Sequence, residues 1–368
     1  MNGVRSALAV VTPGLEAVLE EELALLGIEG KATEGGVVFK AHPEWVYTAN
    51  LHSRVAARVL VRLGSARVRN LEALAQLVRV MPWRDYIWPG QPVQVRFSAH
   101  QSRLRHRDSA GKKVELAITD ALRGPRLPGP RPPRDPAMVL VRLVEDQATL
   151  SIDSSGDLLH RRGWRKATAK APLRENLAAA ILFRAGWMPG EPLVDPMCGS
   201  GTFAIEAATI AEGLPPGAAR GFAFERWPSL DKALWSRVRS ARSGRNDLSG
   251  ALIQATDRDG GAVEATLDNA RRAKVGNRVT VRAVAFEELT PPAERGLLVV
   301  NPPYGRRIAS TGKVYSMLGR ALREEWAGWR AAVIVPDKRN RAPLGQGFEE
   351  LLSFDNGGAP VWVYGRLE

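Results

Sequence analysis

Cysteine and histidine are scarce in this chain, and long apolar runs are missing. Cys198 is the only cysteine among 368 residues, so an internal disulfide and a cysteine-rich zinc site are excluded. The five histidines show no metal-ligand spacing, and we expect no metal. No apolar run approaches the ~20 residues that cross a bilayer, and the short run 8–11 lacks the features of a signal peptide. We therefore expect a cytoplasmic protein without a membrane partner.

Positive charge exceeds negative charge. The chain has 52 Lys+Arg and 39 Asp+Glu, a formal net charge of +13. Such a surplus says nothing about the fold but favours polyanionic partners. Most of it is arginine, whose planar side chain binds phosphate and stacks on bases. A G+C-rich genome, which encodes arginine freely, would produce the same composition, so charge favours a nucleic-acid partner only moderately.

Shifts in pattern divide the chain into four parts. Residues 1–65 mix strand-like and helical pieces, and residues 66–158 add a strand, an amphipathic helix and a hairpin, so both parts are expected to be α+β. Residues 159–190 form a basic linker and a leading helix. Residues 191–368 alternate helices with short apolar strands, which predicts an α/β domain with a mostly parallel sheet covered on both faces. Within it, residues 213–250 fit no simple element and are interpreted as an insertion.

Two segments concentrate positive charge. Residues 96–134 hold ten Lys/Arg against three Asp/Glu and include a proline-rich loop. Residues 161–174 hold six Lys/Arg, no acid, and Trp164, a mixture that suits phosphate contact with base stacking. A solvated loop is the alternative for the first segment, whose one-sided charge beside a strand and a helix favours RNA contact, and a plain linker is an equal alternative for the second. The candidate RNA-binding residues are Arg103, Arg105, Arg107, Lys112, Lys113, Arg161, Arg162 and Arg165.

A glycine turn lies at 195–202, between a predicted strand and a predicted helix, with the sequence Asp-Pro-Met-Cys-Gly-Ser-Gly-Thr. Glycines in such a turn let the backbone approach a ligand and leave the helix amides free for a carboxylate or phosphate. The spacing is not that of a dinucleotide loop, and the Walker lysine is missing. With Asp195 at the strand end, the turn suits a ligand carrying an amine and a carboxylate, such as the methionine part of S-adenosylmethionine. Cys198 is expected to be a small buried residue rather than a nucleophile.

Asp257 follows the next predicted strand, where a carboxylate can accept hydrogen bonds from both ribose hydroxyls. Its alternative role is to cap the helix that begins near Gly261, for which Asp259 is better placed. The separation from Gly201 exceeds the ~20 residues usual in dinucleotide folds. The predicted insertion accounts for the excess.

Asn301, Pro302, Pro303 and Tyr304 follow the predicted strand 297–300. The prolines stiffen the backbone at the carboxyl edge of the sheet, where ligands bind in such folds. The Asn301 side-chain oxygen and the Pro302 carbonyl can accept the two N–H bonds of an exocyclic amine and stabilise the positive charge that develops on it. Tyr304 would stack on a flipped base. A proline-rich turn is the alternative, and the other motifs at the same edge make it the weaker one.

Together these motifs resemble class I S-adenosylmethionine-dependent methyltransferases that modify exocyclic amines. The first half resembles THUMP-containing RNA methyltransferases in residues 12–16, 114–122, 150–156 and 159–165. Residues 220–227, Arg-Gly-Phe-Ala-Phe-Glu-Arg-Trp, resemble a segment of the RlmL-type 23S ribosomal RNA guanine-N2 methyltransferases, which the tRNA-directed relatives lack. The resemblance covers nearly the whole chain.

The resemblance implies a ferredoxin-like region, a THUMP domain and a Rossmann-like class I methyltransferase domain with a mostly parallel seven-stranded sheet. It implies S-adenosylmethionine as cofactor. The target amine and base would be held by Asn301, Pro302, Pro303 and Tyr304, and the donor by Asp195, Cys198, Gly199, Gly201, Thr202, Asp257, Pro172 and Leu173. Relatives usually carry an aspartate where this chain has Ala285, so Glu287, Glu288 or the backbone would replace its contact with adenine.

The sequence therefore predicts methylation of guanine N2 in structured RNA, with 23S ribosomal RNA ranked first, by a monomer that needs no metal. Three alternatives stay open: a tRNA guanine-N2 methyltransferase, an adenine-N6 methyltransferase, and a non-catalytic RNA-binding factor for ribosome assembly.

Overall fold

The computed structural model describes residues 5–123, 131–166, 173–241, 252–303, 311–356 and 358–367. Its helices are α1 Glu16–Leu25, α2 Pro43–His52, α3 Leu71–Arg79, α4 Arg107–Leu122, α5 Glu175–Arg184, α6 Thr202–Ala211, α7 Lys232–Ser240, α8 Gly260–Arg272 and α9 Thr311–Arg323. Its strands are β1 Ser6–Val10, β2 Gly30–Thr33, β3 Gly36–Lys40, β4 Arg58–Arg67, β5 Val93–His100, β6 Ala137–Val144, β7 Gln147–Asp153, β8 Leu193–Asp195, β9 Ile253–Asp257, β10 Val279–Ala283, β11 Leu297–Val300, β12 Arg330–Val335, β13 Glu349–Asp355 and β14 Pro360–Arg366. Among these helices, none is long and apolar enough to cross a membrane.

The first seven strands form one sheet in the order β2-β3-β1-β4-β7-β6-β5. The predicted hairpin is confirmed: β6 and β7 are antiparallel, and Glu145 and Asp146 in their turn have left-handed φ of 50° and 64°. β4 pairs with β1 on one side and β7 on the other, so the predicted boundary at 65 falls inside β4. The two predicted N-terminal domains therefore share a continuous sheet.

The second sheet, in the order β10-β9-β8-β11-β12-β14-β13, confirms the predicted α/β fold. Pairs among β8 to β12 are parallel, and β14 is antiparallel to both of its neighbours. Apolar side chains pack on both faces because successive residues of the buried strands point to opposite sides. The chain runs from β8 to β9 and β10 on one side and then returns to β11 on the other. Doubly wound sheets bind ligands at such a reversal point, here between β8 and β11.

The prediction that residues 213–250 contain no simple element is wrong for α7. Asp231 caps this helix by accepting a hydrogen bond from the Leu234 amide (2.9 Å). Trp235 packs edge-on against Phe224 and against Tyr47 of α2, with ring centroids 4.9 and 5.8 Å apart. Its buried residues Leu234, Trp235 and Val238 have the spacing of an amphipathic helix, so the sequence carried a local signal for it.

A buried charge network joins the N-terminal half to α6. Glu206 on α6 lies 3.3 Å from Arg54 and 3.3 Å from Arg162, and its side chain is 1% exposed. Arg54 also donates to the Thr209 hydroxyl (2.9 Å), and Arg162 donates to the Arg54 carbonyl (2.6 Å). Glu22 accepts from the Arg54 amide (2.6 Å), and burial raises the pKa of its carboxyl. Glu206 is thus the carboxylate that pairs with both buried guanidinium groups.

We expect Glu206→Gln to destabilise the protein by about 3–5 kcal/mol, because it leaves two buried guanidinium groups without their counter-charge. Glu324→Gln is the matched control, since Glu324 is exposed and lies 3.9 Å from Arg320. It should cost under ~1 kcal/mol. Urea denaturation measures both. Equal midpoints for the two variants would mean that the buried network contributes nothing to stability.

Candidate active site

Three of the predicted motifs lie at the carboxyl edge of the second sheet. β8 is central, with Leu193 paired to Ile253 of β9 and to Leu297 of β11. Asp257 lies four residues after Ile253, and Asn301 lies four residues after Leu297. Both are therefore at the same level along the strands, on either side of β8. Neighbouring strands are ~4.8 Å apart, which puts their backbones about 10 Å from each other. The glycine turn follows β8 directly and so begins between Asp257 and Asn301.

The glycine turn is shaped by its two glycines and held by α8. Gly199 and Gly201 have φ of 54° and 81°, in the left-handed region that favours glycine. A Cβ on Gly201 would lie 2.6 Å from Thr266 Cγ2. The Thr266 hydroxyl donates to the Gly199 carbonyl (3.0 Å), and the Asn269 side-chain amide donates to the Ser200 carbonyl (3.1 Å). Sequence reasoning missed Thr266 and Asn269, because nothing in the sequence shows that these polar residues of α8 face the turn.

The amides at the start of α6 lack a side-chain cap, because the N-cap residue is Gly201. The first amides of a helix have no intrahelical acceptor and carry the positive end of the helix dipole. Thr202, the first residue of the helix, is buried. The turn therefore presents backbone donors of the kind that bind a carboxylate.

Asp257 is fixed by the turn that it faces. One carboxylate oxygen accepts from the Gly199 amide (3.0 Å), and the other accepts from the Asp259 amide (3.0 Å). Each oxygen keeps a second lone pair for a ligand hydroxyl. Asp259 accepts from the Gly261 amide (2.9 Å) and caps α8, the role that sequence reasoning preferred for it over Asp257.

Asp195 is a buried carboxyl with a free acceptor. It is 2% exposed, and its Oδ1 has no hydrogen-bond partner among the described residues. Burial, and then the charge of Asp257, raise its pKa well above the ordinary value. A buried acceptor without a donor costs free energy, which a cationic ligand group would recover. The residues present therefore fit a ligand that brings an ammonium group to the end of β8.

Cys198 is 7% exposed, and its sulfur lies 3.5 Å from the Thr266 hydroxyl. Burial, and then the charge of Asp195, raise the pKa of its thiol well above the usual range. A thiol held in its protonated form is a poor nucleophile. The geometry thus agrees with the interpretation of Cys198 as a packing residue in the turn.

Asn301 follows β11 directly, with Pro302 buried and Pro303 exposed. The Asn301 Oδ1 atom is buried and has no hydrogen-bond partner among the described residues. It is an acceptor that the rest of the described protein does not use. Tyr304, and Pro172 on the donor side, lie outside the described residues. Ala285 precedes the short turn Phe286–Glu288, in which Glu287 and Glu288 are exposed.

Two predicted RNA-binding arginines are structural, which corrects the interpretation of residues 161–174. Arg162 is 3% exposed and occupied by Glu206 and two carbonyls, so its guanidinium cannot reach a phosphate. The side chain of Arg165 is 12% exposed and bonded to the glycine turn. Trp164 is buried and so does not offer a surface for base stacking. A run of basic letters shows charge but not burial, which is why sequence alone could not separate these residues from Arg161.

The remaining predicted RNA contacts keep accessible side chains. Arg103, Lys112 and Arg161 have side chains 64%, 69% and 67% exposed, each beside one carboxylate. Lys113 is 35% exposed and lies 3.2 Å from Glu72, and Arg105 and Arg107 are exposed. Leu173 is buried, with its carbonyl turned toward Arg165 (3.2 Å).

His160 lies next to this basic segment. Burial, and then neighbouring guanidinium groups led by Arg174, lower its pKa to about 4. Its imidazole is therefore neutral at physiological pH. A pH dependence between 6 and 7 should not originate from this residue.

Comparison with known proteins agrees with this geometry. Residues 162–345 match the family model described as RMKL-like, methyltransferase domain, and residues 6–60 match the RlmL ferredoxin-like domain. A Synechocystis sp. protein named "Putative RNA methyltransferase" is 34% identical over 97% of this chain and 95% of its own.

Two solved structures match over nearly their whole length. SMU.472, described as a methyltransferase complexed with SAH, is 31% identical with a TM-score of 0.89, over 99% of this chain and 98% of its own. A Listeria monocytogenes protein described as an N6-adenine-specific DNA methylase is 29% identical with a TM-score of 0.87, over 98% and 96%. The family match and the 34% identical relative show that this chain belongs to the RMKL-like, S-adenosylmethionine-dependent methyltransferases and carries an RlmL-type ferredoxin-like domain.

Proposed function

We propose that this protein methylates the exocyclic N2 amine of guanine in structured RNA, with 23S ribosomal RNA ahead of tRNA as the substrate. The observation that carries the proposal is the buried, unpartnered Oδ1 atom of Asn301 beyond β11. It shares a sheet edge with Asp257 and the glycine turn.

Asn301 and Pro302 are proposed to act on the amine. The lone pair of an exocyclic amine is delocalised into the ring, which makes the amine a weak nucleophile. The Asn301 Oδ1 atom and the Pro302 carbonyl would accept its two N–H bonds and stabilise the positive charge that forms on nitrogen. Tyr304 is proposed to stack on the base that leaves its helix to enter the site. Because fixed acceptors define the position of the amine, alignment supplies most of the rate enhancement.

The glycine turn and Asp257 are proposed to hold the donor. S-adenosylmethionine supplies a methyl group on a sulfonium centre, so the reaction needs no metal. The first amides of α6, beside Thr202, would bind the carboxylate, and Asp195 would bind the ammonium group. Asp257 would accept from the ribose hydroxyls through its free lone pairs. The donor would lie against the small residues of the turn, Cys198, Gly199 and Gly201. The loop of Pro172 and Leu173 would border the bound donor.

RNA as the substrate is supported by the name of the Synechocystis relative and by the net charge of +13. The proposed contacts are Arg103, Arg105, Arg107, Lys112, Lys113 and Arg161. The region 66–158 is proposed to act as a THUMP domain. The preference for ribosomal RNA depends on the resemblance of residues 220–227 alone. Phe222 and Phe224 there are buried, so these two side chains pack inside the protein.

Adenine N6 is the second candidate, because the Listeria neighbour is described as an N6-adenine-specific DNA methylase. The same two acceptors serve any exocyclic amine. Mass spectrometry of nucleosides from a strain that lacks the gene separates the candidates. We expect N2-methylguanosine to decrease in 23S ribosomal RNA. A decrease of N2-methylguanosine confined to tRNA would show that tRNA is the substrate. Loss of N6-methyladenine would decide for the second candidate.

A further inference from the structure

Arg165 makes four hydrogen bonds around the glycine turn. Its Nη1 donates to the Ser200 hydroxyl (2.7 Å), and its Nη2 donates to the Thr202 hydroxyl (2.8 Å) and the Leu173 carbonyl (3.2 Å). Its Nε donates to Glu175 at the start of α5 (2.8 Å). One guanidinium group therefore connects both hydroxyls of the turn with the first residues of another helix.

The surroundings of Arg165 keep this guanidinium in one position. Its side chain is 12% exposed, and that of Glu175 is 4% exposed. The guanidinium carbon lies 5.0 Å from the centre of the Trp164 ring. The next residue, Lys166, is fixed to α8, because its backbone amide donates to the Asn269 side chain. Asn269 in turn donates to the Ser200 carbonyl. A planar fork of donors is pre-organised for such a site, and a lysine could not reproduce it.

We propose that Arg165 is a positioning residue that sets the shape of the donor-binding turn and thereby the affinity for S-adenosylmethionine. It holds the hydroxyls on one side of the turn, while Thr266 and Asn269 hold its carbonyls from α8. Between these supports the first amides of α6 keep a fixed direction. The inference depends on the proposed role of the glycine turn, but not on which base is methylated.

Arg220 provides a matched control within the same region. Its guanidinium also stacks on an aromatic ring, Phe222, at 5.3 Å. It donates to the carbonyls of Leu158 (2.6 Å), Ser155 (3.2 Å) and Asp157 (2.6 Å). None of its described contacts is in the glycine turn. Arg220→Gln and Arg165→Gln therefore remove similar hydrogen bonds from different places.

The experiment is calorimetric titration of the full-length variants with S-adenosylhomocysteine, together with melting temperatures and RNA binding. We expect Arg165→Gln to raise the Kd for S-adenosylhomocysteine by about tenfold or more, since small misplacements of binding groups cost that much. Arg165→Lys should show an intermediate loss. Arg220→Gln should leave this Kd within about twofold, and all three variants should bind RNA normally. With saturating donor, kcat of Arg165→Lys should stay near the wild-type value while KM for the donor rises.

An unchanged donor Kd in Arg165→Gln would overturn the inference, and so would an equal loss in Arg220→Gln. If Arg165→Gln fails to fold, Ser200→Ala, which removes one acceptor of the Arg165 guanidinium, should still fold and weaken donor binding. Gly201→Val tests the turn itself, because its Cβ would clash with Thr266. If Gly201→Val also binds the donor normally, the proposed role of the turn fails. If only Gly201→Val loses binding, the turn stands and the role of Arg165 is rejected.

Discussion

Asn301→Ala is expected to lower kcat by about 10²–10³-fold, the usual loss when one preorganised partner of a developing charge is removed. The side-chain oxygen is buried beyond β11 and has no hydrogen-bond partner among the described residues. Alanine removes this acceptor and leaves the backbone of Pro302 in place. Single-turnover methylation of RNA measures the chemical step. The Kd for S-adenosylhomocysteine should stay within about twofold, because none of the described contacts joins Asn301 to the glycine turn.

The control for this prediction is Asn277→Ala. Asn277 is exposed and precedes β10, so it lies at the opposite edge of the sheet. Its replacement should change neither kcat nor donor binding. Asn301→Asp keeps an acceptor oxygen and should retain more activity than Asn301→Ala. Unchanged turnover in Asn301→Ala would reject the assigned role, and weak donor binding in that variant would show that its effect is on the fold of the turn.

The positions of the motifs were predictable from sequence because each one follows a short apolar strand. The carboxyl ends of parallel strands meet at one edge, so the sequence alone predicts that Asp195, Asp257 and Asn301 lie together. The supports of the turn were not predictable in this way. Thr266 and Asn269 come from a helix more than 60 residues later, and only the packing of α8 against the turn gives them a role.

Charge was the least reliable guide to individual residues. Residues 161–174 read as a uniform basic segment, yet Arg161 is exposed while Arg162 and Arg165 are paired with buried glutamates. These glutamates belong to α6 and α5, so the pairing depends on how the helices assemble. Helix α7 is a different case, because its Asp231 cap and its apolar residues Leu234, Trp235 and Val238 at helical spacing are local signals that were missed. Local periodicity predicts elements, whereas burial of polar side chains is decided by tertiary contacts.

Asp195→Asn is expected to weaken donor binding by at least about tenfold, because a buried carboxylate would lose its pairing with the ammonium group of the donor. The same substitution should stabilise the protein in the absence of ligand. The pKa of Asp195 is raised, first by burial and then by the charge of Asp257, so the folded protein resists ionisation of this carboxyl. Asparagine keeps the shape of the side chain and removes the charge. Affinity and stability should therefore move in opposite directions.

The pH dependence of this trade-off has a defined sign. Below the ordinary carboxyl pKa of ~3.9, Asp195 is neutral in both folded and unfolded chains and contributes no penalty. As pH rises toward the raised pKa of the folded state, the unfolded chain ionises first, so the folded protein loses stability relative to Asp195→Asn. Above that raised pKa the difference stays constant. Melting temperatures of the ligand-free proteins from pH 4 to pH 8 should diverge in this way, by about 1–4 °C.

Donor binding should show the complementary dependence. Pairing with the donor's ammonium group favours the ionised carboxylate, so wild-type binding should release protons and tighten as pH rises toward the raised pKa. Calorimetry in buffers of different ionisation enthalpy detects that release, and Asp195→Asn should lose it. Asp268→Asn, at an exposed residue paired with Arg271, serves as the control and should change neither property. If Asp195→Asn binds the donor normally with the same proton release, the ammonium group is held elsewhere, and the unpartnered oxygen of Asp195 has another function.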